Sequence, residues 1–209
     1  MTEKDTKLHA AYALQGPDAN RALYDDWAAT YDTDFATAMD YVIHLRVAEQ
    51  FAAAKGQGPV LDIGAGTGLL GVALHALGVG PIDGTDISVG MLEAAAKKSV
   101  YRRLFSGDLT DRLPVPDGHY MGAVSSGTYT LGHLGPETLD EVLRVVAPDG
   151  LIVLSINARH YDEAGFAAKL ESMSGQIRDL SLPKVPIYGA KSTGEHATDT
   201  AFVATFRKR

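Results

Sequence analysis

Short apolar runs alternate with longer amphipathic stretches through the middle of the chain. Stretches with a helical spacing of apolar positions follow most of the apolar runs, and both are short enough to fit one sheet with its connecting helices. The apolar runs, which have the composition of strands, are residues 60–63, 81–86, 103–106, 120–125 and 151–156. The predicted helices are residues 69–77, 89–98, 136–146 and 161–173. This alternation is typical of a doubly wound α/β sheet.

The C-terminal part departs from the alternation of strands and helices. Residues 185–188 and 200–206 both have the composition of strands, and a polar, glycine-containing stretch at 189–199 separates them. The partial alternation of apolar and polar residues in 200–206 is typical of an antiparallel strand with one wetter face. We therefore predict a seven-stranded sheet that ends in a C-terminal antiparallel hairpin.

Residues 1–57 precede the first predicted strand and favour helices at 6–14, 19–31 and 41–54. The run Gly56-Gln57-Gly58-Pro59 ends the last of these helices, because glycine and proline interrupt helical structure. The segment offers no second hydrophobic core. We expect an N-terminal helical lid, residues 1–57, on the same domain as the core, residues 58–209.

Composition narrows the classes of partner. The chain has 209 residues, a formal net charge of −7 and no cysteine. An acidic protein repels the phosphate backbone, so a nucleic acid partner is not expected. No apolar stretch reaches the ~18 residues of a membrane span. The lack of cysteine excludes thiolate metal sites and fits a cytoplasmic protein. The histidines lack metal-ligand spacing, so no bound metal is expected. The oligomeric state is left open.

A glycine-rich loop follows the first predicted strand, in the sequence Asp62-Ile63-Gly64-Ala65-Gly66-Thr67-Gly68. Glycine lacks the Cβ atom that would keep a ligand away from the backbone, and it tolerates the positive φ angles of a tight turn. Loops that bind dinucleotides read G-x-G-x-x-G, whereas here the third glycine comes one residue early. The loop therefore predicts a nucleotide-like ligand other than a pyridine dinucleotide.

This loop, with an acid before it, resembles motif I of the class I S-adenosylmethionine-dependent methyltransferases. The resemblance implies a Rossmann-like fold and S-adenosyl-L-methionine as the cofactor. It also implies that the acid attracts the ammonium at the amino acid end of the cofactor. The loop residues that would bind the cofactor are Asp62, Gly64, Ala65, Gly66, Thr67 and Gly68.

Three more positions match this resemblance. Asp86 ends the second predicted strand, 18 residues after Gly68, where an acid can accept both ribose hydroxyls. In the family, an acid after strand three faces the adenine amino group and the next backbone N–H faces the ring. Asp108 and Leu109 stand at this position, and Ser125 at the end of strand four would border the transferred methyl. Ile87 and Met91 complete the predicted cofactor site, while Ser88 fits the N-cap of the next helix.

The N-terminal run Tyr24-Asp25-Asp26-Trp27-Ala28-Ala29-Thr30-Tyr31-Asp32 is the second informative stretch. Its aromatic residues follow the spacing i, i+3 and i+7, which predicts a single helix face. The run is similar to a Tyr-Asp-x-Trp-Ala-x-x-Tyr-Asp element in many small-molecule methyltransferases, and aromatic faces attract a sulfonium as they attract other cations. A stripe that only packs the core is the alternative. Tyr31 is the best candidate for contact with the cofactor.

His133 lies between the fourth predicted strand and the next helix, in Gly132-His133-Leu134-Gly135. Together with the lid and the exit of strand four, this pattern resembles a group of small methyltransferase-like proteins, over about residues 15 to 160. A histidine at this rim can act as a general base near neutral pH, or it can cap the helix or hold the loop. His133, Tyr129 and Tyr31 are the candidate catalytic residues.

The sequence therefore predicts a methyltransferase that acts on a small-molecule acceptor. A hydroxyl or ammonium acceptor must lose a proton, whereas a free amine or thiolate need not, and the sequence does not choose among them. Two alternatives stay open. One is an enzyme of the same fold that carries out a cyclisation or an intramolecular displacement on the cofactor, and the other is a non-catalytic module that binds the cofactor.

Overall fold

The computed structural model describes residues 16–209, in which one sheet carries helices on both faces. The strands are β1 (Val60–Ile63), β2 (Ile82–Asp86), β3 (Arg103–Ser106), β4 (Tyr120–Tyr129), β5 (Val146–Asn157), β6 (Ile177–Ser181), β7 (Lys184–Pro186) and β8 (Thr200–Lys208). The α-helices are α1 (Pro17–Trp27), α2 (Ile43–Ala53), α3 (Leu69–Ala76), α4 (Val89–Ala96), α5 (Leu139–Val145), α6 (Ala158–Ala164) and α7 (Phe166–Ser172). A π-helix at Tyr31–Thr37 follows α1, and a 3₁₀ helix at Pro136–Thr138 precedes α5.

The order of the strands is β3-β2-β1-β4-β5-β8-β6. Strands β1 to β5 are parallel, whereas β8 pairs antiparallel with β5, and β6 and β7 pair with successive parts of β8. The two short strands share the edge of β8 that faces away from β5. The predicted α/β sheet with an antiparallel C-terminal hairpin is confirmed, with its edge strand in two pieces.

Apolar side chains alternate between the two faces of the sheet. In β5, Leu151 and Val153 belong to one buried cluster and Ile152 and Leu154 to the other. This alternation follows from the period of two in a strand, and it explains why a parallel strand covered on both faces reads as a continuous apolar run. The first cluster also contains the buried rings of Trp27 and Phe35, so the N-terminal segment, defined as residues 17–42, packs on the same core as the sheet.

Several element boundaries differ from the sequence predictions. The predicted helix at 161–173 begins earlier, at the N-cap Asn157, and breaks into α6 and α7 at Gly165, where φ is 84°. The predicted helix at 19–31 ends at Trp27, and Tyr31 belongs to the π-helix instead. Strand β6 was not predicted, and the predicted helix at residues 6–14 lies outside the described residues. Within residues 16–209, no helix combines the length and the apolar character needed to cross a bilayer.

Candidate functional site

A cleft of about 270 Å³ lies at the carboxyl ends of β1 to β4. Strand β1 is the switch point of the sheet, because it pairs with β2 on one side and with β4 on the other. Ligands of open α/β sheets bind at such a point. The cleft is lined by the glycine loop, by residues after β2, β3 and β4, and by side chains of the N-terminal segment.

The glycine loop has a backbone that only glycine adopts without strain. Gly64, Gly66 and Gly68 have φ angles of 63°, 53° and 90°. A Cβ at Gly64 would collide with Thr128, whereas a Cβ at Gly66 would meet no described atom within 4 Å. The middle glycine therefore leaves backbone open to the cleft, where a ligand can approach it. Ala65 and Thr67 also line the cleft, while Gly68 stands behind them as the N-cap of α3.

Asp86 connects the loop to the end of β2. Its Oδ2 accepts a hydrogen bond from the Gly66 N–H at 2.8 Å, and its Oδ1 accepts one from the Ser88 N–H at 2.9 Å. Burial raises the pKa of Asp86, and these backbone donors oppose that shift. Each carboxylate oxygen offers two acceptor positions, so both can still accept a hydroxyl from a ligand. Ser88 caps α4 as predicted, since its hydroxyl accepts a hydrogen bond from the Met91 N–H.

The other predicted binding residues after β2 and β3 also line the cleft: Ile87, Met91, Asp108 and Leu109. Asp108 holds a turn, because its Oδ1 accepts hydrogen bonds from the backbone N–H and the hydroxyl of Thr110. This turn uses only one carboxylate oxygen. The turn and a contact between the other oxygen and a ligand are therefore compatible.

Asp62 does not line the cleft but lies fully buried behind the loop. Its Oδ2 accepts a hydrogen bond from the Tyr101 hydroxyl at 2.7 Å, and its Oδ1 has no partner among the described residues. Burial raises the pKa of Asp62 to about 7. The Tyr101 ring occupies space that side chains at Gly71 and Gly84 would fill, and no motif in the sequence points to it.

The predicted single helix face of Tyr24, Trp27 and Tyr31 is wrong, because α1 ends at Trp27, but the three rings still contact one another. The rings of Tyr24 and Trp27 are stacked at 6.2 Å, and those of Trp27 and Tyr31 meet edge to face at 5.0 Å. Tyr24 and Tyr31 line the cleft, whereas Trp27 is buried behind them. The stripe therefore both packs the core and forms a wall of the cleft.

Two acids of the same run hold the N-terminal segment on the core, and we name them the bridging aspartates, Asp25 and Asp32. Asp25 Oδ1 accepts hydrogen bonds from the Ser88 hydroxyl at 2.6 Å and from the Gly90 N–H at 3.0 Å. These two hydrogen bonds lower the pKa of Asp25. Asp32 accepts one hydrogen bond from the Thr67 hydroxyl at 2.5 Å and one from Lys98 Nζ at 2.6 Å. The segment is thereby joined directly to the glycine loop.

His133 faces the cleft as part of a pair with Tyr24. Its Nδ1 lies 2.9 Å from the carbonyl oxygen of Leu131, which only accepts, so Nδ1 carries the proton. Its Nε2 then accepts a hydrogen bond from the Tyr24 hydroxyl at 2.8 Å. Burial lowers the pKa of His133 below 6.5, so the ring is neutral at pH 7. A neutral imidazole with a lone pair on Nε2 is the state that a general base requires.

Ser125 and Tyr129, like Asp62 and Gly68, lie outside this cleft. The Ser125 side chain is buried and donates a hydrogen bond to the Ile63 carbonyl, while Ser126, Gly127 and Thr128 line this edge instead. Tyr129 ends β4 with its hydroxyl bonded to Thr138, and its ring packs edge to face on Phe166. Burial raises the pKa of Tyr129, which disfavours the predicted role in proton transfer. Strand β4 extends to Tyr129, further than predicted, and both side chains are buried.

Known proteins that are similar to this chain include methyltransferases. A family model described as a methyltransferase domain matches residues 60–150. Human methyltransferase-like protein 27 is 33% identical over 161 residues, which cover 74% of this chain and 64% of that protein. A TehB-like SAM-dependent methyltransferase from Corynebacterium glutamicum is similar in structure, with 23% identity, a TM-score of 0.63, and 90% of this chain and 99% of that one covered.

The [4+2]-cyclase SpnF is also similar in structure, with 15% identity, a TM-score of 0.67, and 93% of this chain and 97% of that one covered. These two similarities in structure show the fold alone. A methyltransferase and a cyclase therefore share this fold.

Proposed function

Because the chain belongs to the class I S-adenosylmethionine-dependent methyltransferases, we propose that it transfers a methyl group to a small-molecule acceptor. One observation supports this proposal above the others. The open backbone at Gly66 and the carboxylate of Asp86 stand side by side in a cleft that the N-terminal segment covers.

S-adenosylmethionine is the cofactor, and the residues of the cleft fit it. Gly64, Ala65, Gly66 and Thr67 would hold its amino acid end, Asp86 its ribose, and Asp108 and Leu109 its adenine, while Ile87 and Met91 supply apolar contacts. When bound, the cofactor supplies an electrophilic methyl carbon, whose bond to sulfur breaks with the electron pair remaining on sulfur. Asp62 lies outside the cleft, so we propose that it supports the glycine loop from its buried side, through its hydrogen bond with Tyr101.

The protein has to hold the acceptor in line with the methyl group and to exclude water. Correct orientation can contribute as much as ~7–11 kcal/mol to lowering such a barrier. Tyr31 and Tyr24 line the cleft from the side of the N-terminal segment, so we propose that this segment acts as a lid that orients the acceptor. The bridging aspartates keep it against the glycine loop.

We propose that His133 accepts a proton when the acceptor carries one. Tyr24 already donates a hydrogen bond to His133 Nε2. The proton therefore reaches Nε2 in one of two ways: it is relayed through the Tyr24 hydroxyl, or the acceptor replaces that hydroxyl as the hydrogen-bond donor to Nε2. Replacing His133 with Gln should lower turnover about tenfold or more, as expected for loss of a general base. The affinity for S-adenosylhomocysteine should stay within about twofold. Tyr161→Phe, on α6, is a control that should change neither value.

The acceptor class and the cytoplasmic location stay predictions. The first is tested with cofactor carrying a deuterated methyl group and an ultrafiltered cell extract that contains small molecules only. The proposal predicts a deuteromethylated small molecule together with S-adenosylhomocysteine. A different fragment of the cofactor, or binding of the cofactor without any product, would favour one of the two alternatives instead.

A further inference from the structure

A second chamber of about 50 Å³ adjoins the cleft. The residues that line both spaces include Tyr24, Tyr31, Gly127 and His133. His133, the candidate base, therefore lies at the boundary between the cleft and the chamber. The rest of its lining comes from the N-terminal segment and the start of α2, from the ends of β4 and β5, and from residues 187, 188 and 201. This position places the chamber beside the cofactor cleft and apart from the residues assigned to ribose and adenine.

Aromatic rings form most of the wall of the chamber. Neighbouring centroids are 5.0 to 6.5 Å apart for the ring pairs Trp27–Tyr31 (5.0 Å), Tyr31–Phe35 (5.1 Å), Phe35–Tyr41 (5.3 Å), Tyr41–Tyr188 (6.0 Å) and Tyr24–Tyr31 (6.5 Å). Rings in mutual contact are rigid and require little ordering when a ligand binds. The wall is therefore prepared before any ligand arrives.

Charge is missing from the lining of the chamber. Over the described part of the chain, no Asp, Glu, Lys or Arg lines it, and its polar side chains, such as Ser155 and Asn157, are neutral. Burial raises the pKa of Tyr31 well above its ordinary value, so that phenol also stays neutral. A buried anion would have no counter-charge here, whereas the negative faces of aromatic rings attract a cation.

The candidate base favours the same class of ligand. His133 is neutral and a weaker base than an exposed histidine. It can take a proton from an ammonium group, whose acidity rises when it is buried, but an aliphatic alcohol is a far weaker acid. Deprotonated alcohols and thiols are also anions, which the chamber does not stabilise.

On the premise of the proposed methyl transfer, we propose that the chamber receives the amino group of a small primary or secondary amine, and that nitrogen is the acceptor atom. The bound ammonium loses one proton to Nε2 of His133. The lone pair that this exposes forms the N–C bond, while the C–S bond breaks and its electron pair stays on sulfur. The product is a methylated ammonium, so the aromatic wall faces a cation before and after the reaction.

Binding of three probes of similar shape tests this assignment without turnover. Tetramethylammonium, tert-butanol and pivalate are titrated into protein saturated with S-adenosylhomocysteine and followed by NMR. We expect the cation to bind about tenfold or more tightly than either other probe. Equal affinities, or tighter binding of pivalate, would overturn the assignment. A protein that does not bind S-adenosylhomocysteine at all would contradict the cofactor site rather than the chamber.

Tyr188 separates the effect of the ring from that of shape, because it lines the chamber but not the cofactor cleft. Tyr188→Leu should reduce the preference for the cation to about threefold or less, while Tyr188→Phe keeps it. If Tyr188→Leu does not fold, Phe35→Leu and Phe35→Tyr form the same matched pair. A preference that survives loss of the ring would reject the proposal, as would an O-methylated or S-methylated product from the deuterated cofactor.

Discussion

Tyr101 is the residue on which the buried side of the glycine loop depends. Its hydroxyl is the donor to Asp62 Oδ2, and its ring fills the space left by Gly71 and Gly84. Glycines in the loop were easy to interpret from the sequence. Gly71 and Gly84 lie instead in α3 and β2, and no local sequence pattern connects them to Tyr101, which follows α4.

Replacing Tyr101 with Phe tests this contact. Asp62 has a folded-state pKa of about 7, above its unfolded value of 3.8, so the stability lost by burying it grows as the pH rises from 3.8 to 7. Loss of the Tyr101 donor should therefore destabilise the protein by about 2 kcal/mol at pH 8.5 and by less at pH 5.5, where folded Asp62 is protonated. Urea denaturation at both pH values measures the difference. An equal loss at both would show that the hydroxyl does not act through Asp62.

At the scale of the element, the N-terminal segment depends on the bridging aspartates. Asp25→Asn and Asp32→Asn each replace a charged acceptor with a weaker one, at a cost of about 1–2 kcal/mol per site. We expect this segment to open locally rather than with the core, so hydrogen exchange of residues 17–37 should accelerate about tenfold in each variant. Asp26→Asn, exposed on the same helix, is the control and should match the wild type.

The two variants should differ in a second measurement. Asp32 contacts Thr67 of the glycine loop, whereas Asp25 contacts the start of α4. We therefore expect Asp32→Asn to weaken cofactor binding more than Asp25→Asn does. Unchanged exchange in both variants would mean that ring packing alone holds the segment.

Elements with a strong apolar pattern were predictable and those without one were not. Strand β1 is buried along its whole length, so its composition identifies it. Strand β6 contains Arg178 and Asp179, pairs with β8 alone among the described strands, and is exposed beyond its first two residues, so it lacks this signal. Gly165 breaks a helix whose apolar pattern continues across the break, and this break depends on a backbone conformation that periodicity does not report.

For the whole molecule, His44 makes stability depend on pH. Its ring stacks on Tyr41, and burial lowers its pKa from 6.5 to about 4. Between these values the unfolded chain binds a proton that the folded protein does not, so stability falls as the pH drops from 6.5 towards 4. The contribution is about 3 kcal/mol when the shift is fully developed.

His44→Phe removes this titration and keeps a ring against Tyr41. The free energies of unfolding of wild type and variant are measured at pH 7 and pH 4.5. Between these two pH values, the difference between the two proteins should shift by about 2 kcal/mol in favour of the variant. Other groups, including Asp62, titrate in both proteins and cancel in the difference. Parallel pH profiles would contradict the buried neutral histidine.

The cofactor cleft was largely predictable and the chamber beside it was not. Every predicted residue of the cleft follows a strand of the parallel sheet or lies in one N-terminal run, and topology brings these positions to one edge. The chamber instead joins rings at 27–41 with Tyr188 and the ends of β4 and β5. Such contacts between distant parts of the chain leave no local pattern in the sequence.

Calorimetric titration of S-adenosylhomocysteine tests the central claim, that the open loop and Asp86 together hold the cofactor. The wild type should bind one equivalent, and Asp86→Asn should bind about tenfold or more weakly, a loss of at least about 1.4 kcal/mol, because it removes the negative charge and replaces one of the two acceptor oxygens with an NH2 donor. Asp111→Asn, an exposed acid near the cleft, should bind like the wild type. Equal affinity in Asp86→Asn, or a wild type that binds a pyridine dinucleotide and not this compound, would contradict the account.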